Sequence, residues 1–251
     1  MVTVLTMTTI PSRVVHSETT VREICMQEDF DYLVANIPHV HEKTGDEYPP
    51  IPQWFFDDER IVVNRCKDIG STTKIIPTLE WLKENGLSHG TLIMIDDDIR
   101  YPPFFVEYMK NHSKAGKVIS MSGFCLDERA EWKHKKKHGD TCHLLENFAG
   151  GCWQIEDINP TECIKHWERL NTLGAIEYNA HIADDCWMSN YAHMKNLSLE
   201  IVGNVRWLER LVHHKSDALH AFGGNKRRYK KLMKFLAKND FCFFTRWKWL
   251  E

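Results

Sequence analysis

Residues 91–103 read "TLIMIDDDIRYPP", four apolar positions running into three consecutive aspartates. A short β-branched and apolar run bounded by polar residues is the pattern of a buried strand. Adjacent carboxylates repel, and each prefers water to a protein interior. Packing therefore gives no reason to gather Asp96, Asp97 and Asp98 at the end of such a strand, whereas a cation or polar ligand does. Because successive strand side chains point to opposite faces, the three acids divide the work. On this reading Asp98 ligates a divalent ion, Asp96 reaches a ribose hydroxyl or a metal-bound water, and Asp97 is the most replaceable. Hard carboxylate oxygens suit Mg2+ or Mn2+, which keep open positions for substrate phosphates. The plainer alternative is a solvated acidic turn or a helix cap.

Outward from this strand, the first half alternates strand and helix. Residues 2–7 read as a strand, followed by a polar turn in "TTIPSR", and Ser17 is placed to cap a helix through about Gln27. "DYLVANIP" and "RIVVNRC" read as strands, and "TTKIIPTLEWLKENG" as a helix that tolerates Pro77 in its first turns. After the aspartates come a helix over 103–112 and a strand "KVISMSGF". Such alternation predicts an α/β domain with a mostly parallel central sheet flanked by helices, whose ligands sit at the carboxyl ends of the strands. Thr8 to Arg13, Asp68 and the aspartates all fall there. Further on, "NPTECIKHWERLNT" has Asn159 as cap, Pro160 first and Glu162 placed for a capping box. "DDCWMSNYAHMKN" is a second helix, "LSLEIVGN" a returning strand, and 226–238 a basic amphipathic helix.

The bulk numbers limit the classes. With 251 residues, 43% of them hydrophobic, the chain can bury one proper core. Its net charge of -3 gives no global basic field, so nucleic acid is not expected as a partner. No apolar run is long enough to span a bilayer, and "MVTVLTMTTIPSR" lacks the features of a signal peptide, so a soluble cytoplasmic protein is expected. The eight cysteines include no CxxC pair, which reads as reduced thiols rather than a disulfide framework or zinc ribbon. "HKKKHGDTCH", with His134, His138, Cys142 and His143, superficially resembles a zinc set, but three lysines inside it repel a dication. A basic loop near an acceptor is the preferred reading.

"IDDDI", "TMTTIPSR", "NRCKDIGSTTK" and "ADDCWMSNY", in their order along the chain, resemble a nucleotide-sugar glycosyltransferase of the GT-A (Rossmann-like) fold. The likeness is to virus- and microbe-encoded transferases, including the glycosyltransferase domains of large algal viruses (chloroviruses), which would place the chain in a host cytoplasm. It spans Thr6 to about His220. It implies one catalytic domain, with 1–98 as a nucleotide-binding half and 99–251 as an acceptor-binding half. The aspartate motif would hold Mn2+ or Mg2+ against the donor diphosphate, UDP being favoured. Asp185 would deprotonate a glycan or glycoprotein hydroxyl with Asp184 orienting the acceptor, by an inverting displacement; the alternative is that both acids stabilise a helix N-terminus.

The resemblance further implies that Thr8, Thr9 and Arg13 lie over the nucleotide, that Asp68 accepts from uracil or ribose, and that Lys74 reaches the base or diphosphate. Gly150 and Gly151 would shape the donor-sugar and acceptor pocket, with Trp153 stacking on a sugar; a tight turn with a core tryptophan is equally compatible. His214 would complete the metal site, with His213 or His220 as substitutes. Rival functions are a metal-dependent phosphohydrolase or nucleotidyltransferase, which also uses clustered aspartates, and a non-catalytic glycan-binding module.

Overall fold

A computed structural model describes residues 1–126, 132–135, 137–178, 183–211 and 225–238. In chain order the elements are β1 (Val2–Thr8), α1 (Glu18–Cys25), β2 (Tyr32–Pro38), β3 (Ile61–Cys66), α2 (Ile76–Glu84), β4 (Gly90–Ile95), β5 (Ile99–Arg100), α3 (Phe105–His112), β6 (Lys117–Ser120), β7 (Gly123–Leu126), β8 (Trp132–Lys135) and β9 (Leu144–Leu145). They continue with β10 (Ala149–Gln154), α4 (Ile155–Ile158), α5 (Pro160–Thr172), α6 (Asp184–Met194), β11 (Ser198–Ile201), β12 (Glu209–Arg210) and α7 (Asn225–Lys238). Seven strands form the central sheet in the order β11-β6-β10-β4-β1-β2-β3. β1 runs parallel to β2 and β4, β2 to β3, and β6 to β11, while β10 is antiparallel to both of its neighbours. The expected single α/β domain with a mostly parallel sheet between helices is therefore what the chain builds.

The apolar run before the aspartates is buried on both faces, as parallel strands covered by helices require. Leu92 and Met94 pack into the core shared with α2, α5 and α6, and Ile93 and Ile95 into the core shared with α1 and α3. β5 pairs with β12 as a two-stranded ribbon, and β8-β7-β9 form a small third sheet. The apolar face of α7 is buried through Leu232, Met233, Phe235 and Leu236, and Lys231 and Lys234 lie exposed on its other side. Among the described residues no helix is long and apolar enough to cross a membrane, and the seven described cysteines are all free thiols.

Three local expectations change. "KVISMSGF" is two strands in different sheets, because the chain turns at Met121–Ser122, where the Ser122 hydroxyl donates to Glu146 Oε2 at 2.5 Å. Ser17 does not cap α1; its hydroxyl turns back to the Val14 carbonyl at 2.9 Å. Asn159 does cap α5, accepting from Glu162 N at 3.3 Å, but the Glu162 carboxylate pairs with Lys195 instead of closing a capping box.

A buried polar network ties the sheet to the segment before α2. Asn36, 0% exposed on β2, donates through Nδ2 to Thr78 Oγ1 at 2.7 Å and faces the Lys74 carbonyl at 3.3 Å. Its Oδ1 accepts from Asn64 on β3 at 2.8 Å, and the Thr6 hydroxyl of β1 also donates to the Lys74 carbonyl. A polar set of this kind is favourable only while every member is satisfied. Asn36→Ala orphans several buried groups at once and should cost about 2–4 kcal/mol in urea denaturation; a loss under about 0.5 kcal/mol would show that the network does not hold this segment.

His166 on α5 lies beside Tyr191 and Trp187, with ring centroids at 5.1 and 6.3 Å. Burial, helped by Arg169, lowers its pKa to about 4, against roughly 6.5 in an unfolded chain. Between these values the unfolded state binds the extra proton, so the contribution is complete above roughly pH 6.5 and is lost as the pH falls toward 4. His166→Phe should show a shallower loss of stability than the native chain across that window in pH-dependent urea melts. Parallel curves would place the ring outside the core.

Candidate active site

β1 and β4 are neighbours, so the loops that leave their carboxyl ends meet, and the acid triplet lies at this meeting point. Its three side chains have three different environments. Asp96, about one-third exposed (34%), pairs with Lys74 Nζ at 2.5 Å. Asp97, 3% exposed, accepts from the Thr9 hydroxyl at 2.6 Å and pairs with Arg13 at 3.0 Å. Asp98, with 20% of its side chain exposed, faces the same Arg13 nitrogen at 3.1 Å. The triplet's backbone is fixed from outside. Thr20 of α1 donates to the Asp97 and Ile99 carbonyls, Tyr101 Oη accepts from Asp96 N, and Leu211 N donates to the Asp98 carbonyl.

The electrostatics follow from this crowding. Burial works to raise Asp96, but the Lys74 ammonium outweighs it and holds the carboxyl below its ordinary value. Burial also raises Asp97, with Arg13 and the Thr9 hydroxyl opposing. Asp98 is pushed up to about 6 by burial and by the charges of Asp96 and Asp97. Burial is the larger cause, and Arg13 and Arg210 oppose it only in part.

A second acidic pair faces this group across Lys74. The first turn of α6 supplies Asp184, 7% exposed, and the half-buried Asp185. Asn147, on the turn before β10, serves both: its backbone N–H donates to Asp185 Oδ1 at 2.7 Å and its side-chain amide to Asp184 Oδ2 at 3.1 Å. Burial and the neighbouring Asp184 push Asp185 well above the usual carboxylate range. Lys74 is only 5% exposed; burial disfavours its ammonium, but Asp96, Asp184 and Asp185 overcome this and hold its pKa above the ordinary value.

Several expected contacts are already spent within the protein. The Thr8 hydroxyl donates to the Asn36 carbonyl and the Thr9 hydroxyl to Asp97, so neither is an open donor to a nucleotide. Arg13 is an ion-pair partner of Asp97 and Asp98 rather than an open phosphate clamp. Asp68, 6% exposed, accepts from the N–H groups of Glu42 and Gly70 and from the Thr73 hydroxyl, and so frames the turn that delivers Lys74.

Asp97, expected to be the most replaceable of the triplet, is its most deeply tied member. Trp153 is 1% exposed, packed in the core with Tyr191, and offers no face to a sugar. The paired glycines give room to protein, not to ligand. A Cβ on Gly150, whose φ is +83°, would meet Phe105 at 2.8 Å, and one on Gly151 would meet Asn147 Oδ1 at 2.5 Å.

His213, His214 and His220 lie outside the described residues. In the other histidine-rich stretch Cys142 is buried with its thiol toward the Leu199 carbonyl, and among the described residues no three His, Cys, Asp or Glu side chains converge as a ready-made metal site. Asp96 and Asp98 are partly open hard oxygen donors, the ligand type a divalent ion would take, though each also pairs with a cation, Lys74 or Arg13. The protein would then supply few ligands and leave positions for a phosphate-bearing substrate.

Two participants were not visible in the sequence. Arg210 on β12 acts electrostatically on both Asp96 and Asp98, its guanidinium 5.8 Å from the centre of the Phe148 ring. Asn147 joins the second acid pair. A groove of about 510 Å³ bordered by Arg65, Trp81 and Trp167 lies between β3, α2 and α5, and includes none of these carboxylates.

Fold and site together define a Rossmann-like α/β domain with an acid-rich, partly cation-balanced centre at its strand ends. No protein-family model matches the chain, and a search of curated proteins finds no match. Among solved structures it is similar to the crystal structure of 4-diphosphocytidyl-2C-methyl-D-erythritol synthase, at a TM-score of 0.52 and 12% identity, over 86% of this chain and 94% of that one. At that identity the likeness is one of fold.

The unequal environments of Asp97 and Asp98 make a direct prediction. Asp97→Ala should lower stability by about 2–4 kcal/mol, because it strips partners from Thr9 and Arg13. Asp98→Asn should be neutral or stabilising, since it removes a crowded charge. Thermal melts that show equal losses would contradict the assignment.

Proposed function

We propose that the chain is a glycosyltransferase that moves a sugar from a nucleoside-diphosphate donor, UDP favoured, to a hydroxyl of a glycan or glycoprotein acceptor. The observation that carries this reading is the placement of buried Lys74 between the strand-end triplet and the Asp184–Asp185 pair. A diphosphate leaving group needs positive charge near it, and an attacking hydroxyl needs a carboxylate on the far side of the transferred sugar. This arrangement offers both within one site. The likeness to algal-virus transferases rests on the sequence motifs alone.

In this reading residues 1–98 supply most of the nucleotide side and 99–251 the acceptor side, though Tyr101, Phe148 and Arg210 cross that line to brace the triplet. Asp185 takes the proton of the acceptor hydroxyl. The acceptor oxygen then bonds to the anomeric carbon as the bond to the diphosphate oxygen breaks, and the electron pair leaves with the diphosphate. A single displacement of this kind inverts the anomeric configuration. The environment that raises the proton affinity of Asp185 makes its ionised form a stronger base. Asn147 fixes the carboxylate's direction, and Lys74 and Arg210 are the cations that serve the departing charge. A Mn2+ or Mg2+ held by Asp98 and Asp96 would supply further neutralisation of the diphosphate.

A second reading, nucleotidyl transfer, is favoured by the shared fold with an enzyme named for a diphosphocytidyl product. The two readings differ in what they release: a nucleoside diphosphate from a nucleotide sugar, or pyrophosphate from a nucleoside triphosphate. Calorimetric titration should show UDP binding that requires Mn2+ and is lost in Asp98→Ala. Asp185→Asn should keep that binding and lose transfer by about 10²–10⁴-fold. Pyrophosphate release from a triphosphate would favour the second reading, absence of metal-linked UDP binding would remove the first, and an NMR assay showing retained configuration would remove Asp185 as base.

A further inference from the structure

Beside the site, the carboxyl edge of the sheet carries a group of exposed aromatic side chains that the chemistry above does not use. Phe104, just before α3, is 45% exposed, and Trp207, on the turn before β12, is 41% exposed. Their rings meet at 80° with centroids 5.4 Å apart, and Tyr108 meets Trp207 at 87° and 5.3 Å. The rings thus form an open corner. Gly203 makes it possible: with φ at +67°, it follows β11, and a Cβ there would lie 2.9 Å from the Trp207 ring and 3.1 Å from Tyr108.

Polar groups border the corner. His138, from the histidine-rich stretch, is exposed, and its Nδ1 accepts from Gly203 N at 3.2 Å. The Tyr108 hydroxyl lies 3.4 Å from the same nitrogen, so both contacts place the ring proton on Nε2. His112 stacks on Tyr108 at 4.1 Å.

We infer that Phe104, Trp207 and Tyr108, with His138 at the edge, are a carbohydrate-binding platform on which a pyranose ring of the acceptor stacks. The reading rests on chemistry and place. Aromatic rings beside an imidazole donor match a sugar, which has one apolar C–H face and a rim of hydroxyls. Two rings less than half exposed offer on the order of 200 Å² of aromatic surface, which suits a single sugar ring and falls far short of the roughly 800 Å² per partner of a stable protein interface. Phe104 follows the triplet by six residues, and Trp207 leads directly into the strand that pairs with β5 and delivers Arg210. Short chain segments therefore join this corner to both the triplet and Arg210. The role as an acceptor subsite rests on the glycosyl-transfer reading, while sugar binding itself does not.

The test keeps the two apart. The indole N–H resonance of Trp207, assigned with Trp207→Phe, is followed by NMR while the protein is titrated with methyl glycosides of glucose, galactose and fucose. At least one glycoside should shift it in a saturable way, and Phe104→Ala should weaken that binding about tenfold. Mn2+-dependent UDP affinity should be unchanged in Phe104→Ala and Trp207→Ala. No shift with any glycoside overturns the platform even if UDP binds. Saturable glycoside binding without metal-linked UDP binding upholds the platform and removes the transferase reading. A Trp207 shift that depends on protein concentration instead would assign the corner to self-association and overturn the proposal.

Discussion

A buried lysine is tolerable only where opposite charge surrounds it, and the centre of this protein is organised around that constraint. Lys74 lies in a short turn whose backbone is gripped from two directions. Thr6 and Asn36 bond its carbonyl from the sheet, and the Trp187 indole of α6 donates to Thr72 Oγ1 at 3.2 Å. With its main chain fixed in this way, the ammonium is almost withdrawn from water beside the partly open Asp96, and it answers to carboxylates from two distant segments, β4 and α6. Loosening any of these grips would release a charge into the core.

The rest of the fold serves that juxtaposition. Parallel β1 and β4 bring the Thr9–Arg13 loop against the triplet, and the turn into antiparallel β10 brings Asn147 to the second acid pair, with bare Gly151 leaving room for it. The ribbon of β5 and β12 adds Arg210. The site ends with more carboxylates than nearby cations, and burial, with that crowding, raises the proton affinities of Asp98 and Asp185.

What was legible in the sequence was what depends on neighbours along the chain. The apolar run of β4 and the alternation of strands with helices required a mostly parallel sheet, and Asp184–Asp185 read correctly as a helix start. Illegible features depend on pairing between remote segments. Asp97 looked expendable because its partners Thr9 and Arg13 are more than eighty residues earlier. Asn147 and Arg210 carry no motif; only the path of β10 and the pairing of β12 with β5 bring them in. "FAGGCWQI" was compatible with a ligand loop or a packed segment, and the difference lay in Phe105 and Asn147, which fill the space the glycines leave.

Crystals grown with UDP and Mn2+, with data collected at the manganese absorption edge, test the central claim most directly. An anomalous peak bound by Asp98 or Asp96, with the diphosphate running toward Lys74 and Arg210, is the result this account requires. A well-ordered UDP elsewhere, with no peak beside the triplet and the Lys74–Asp96 pair undisturbed, would contradict it.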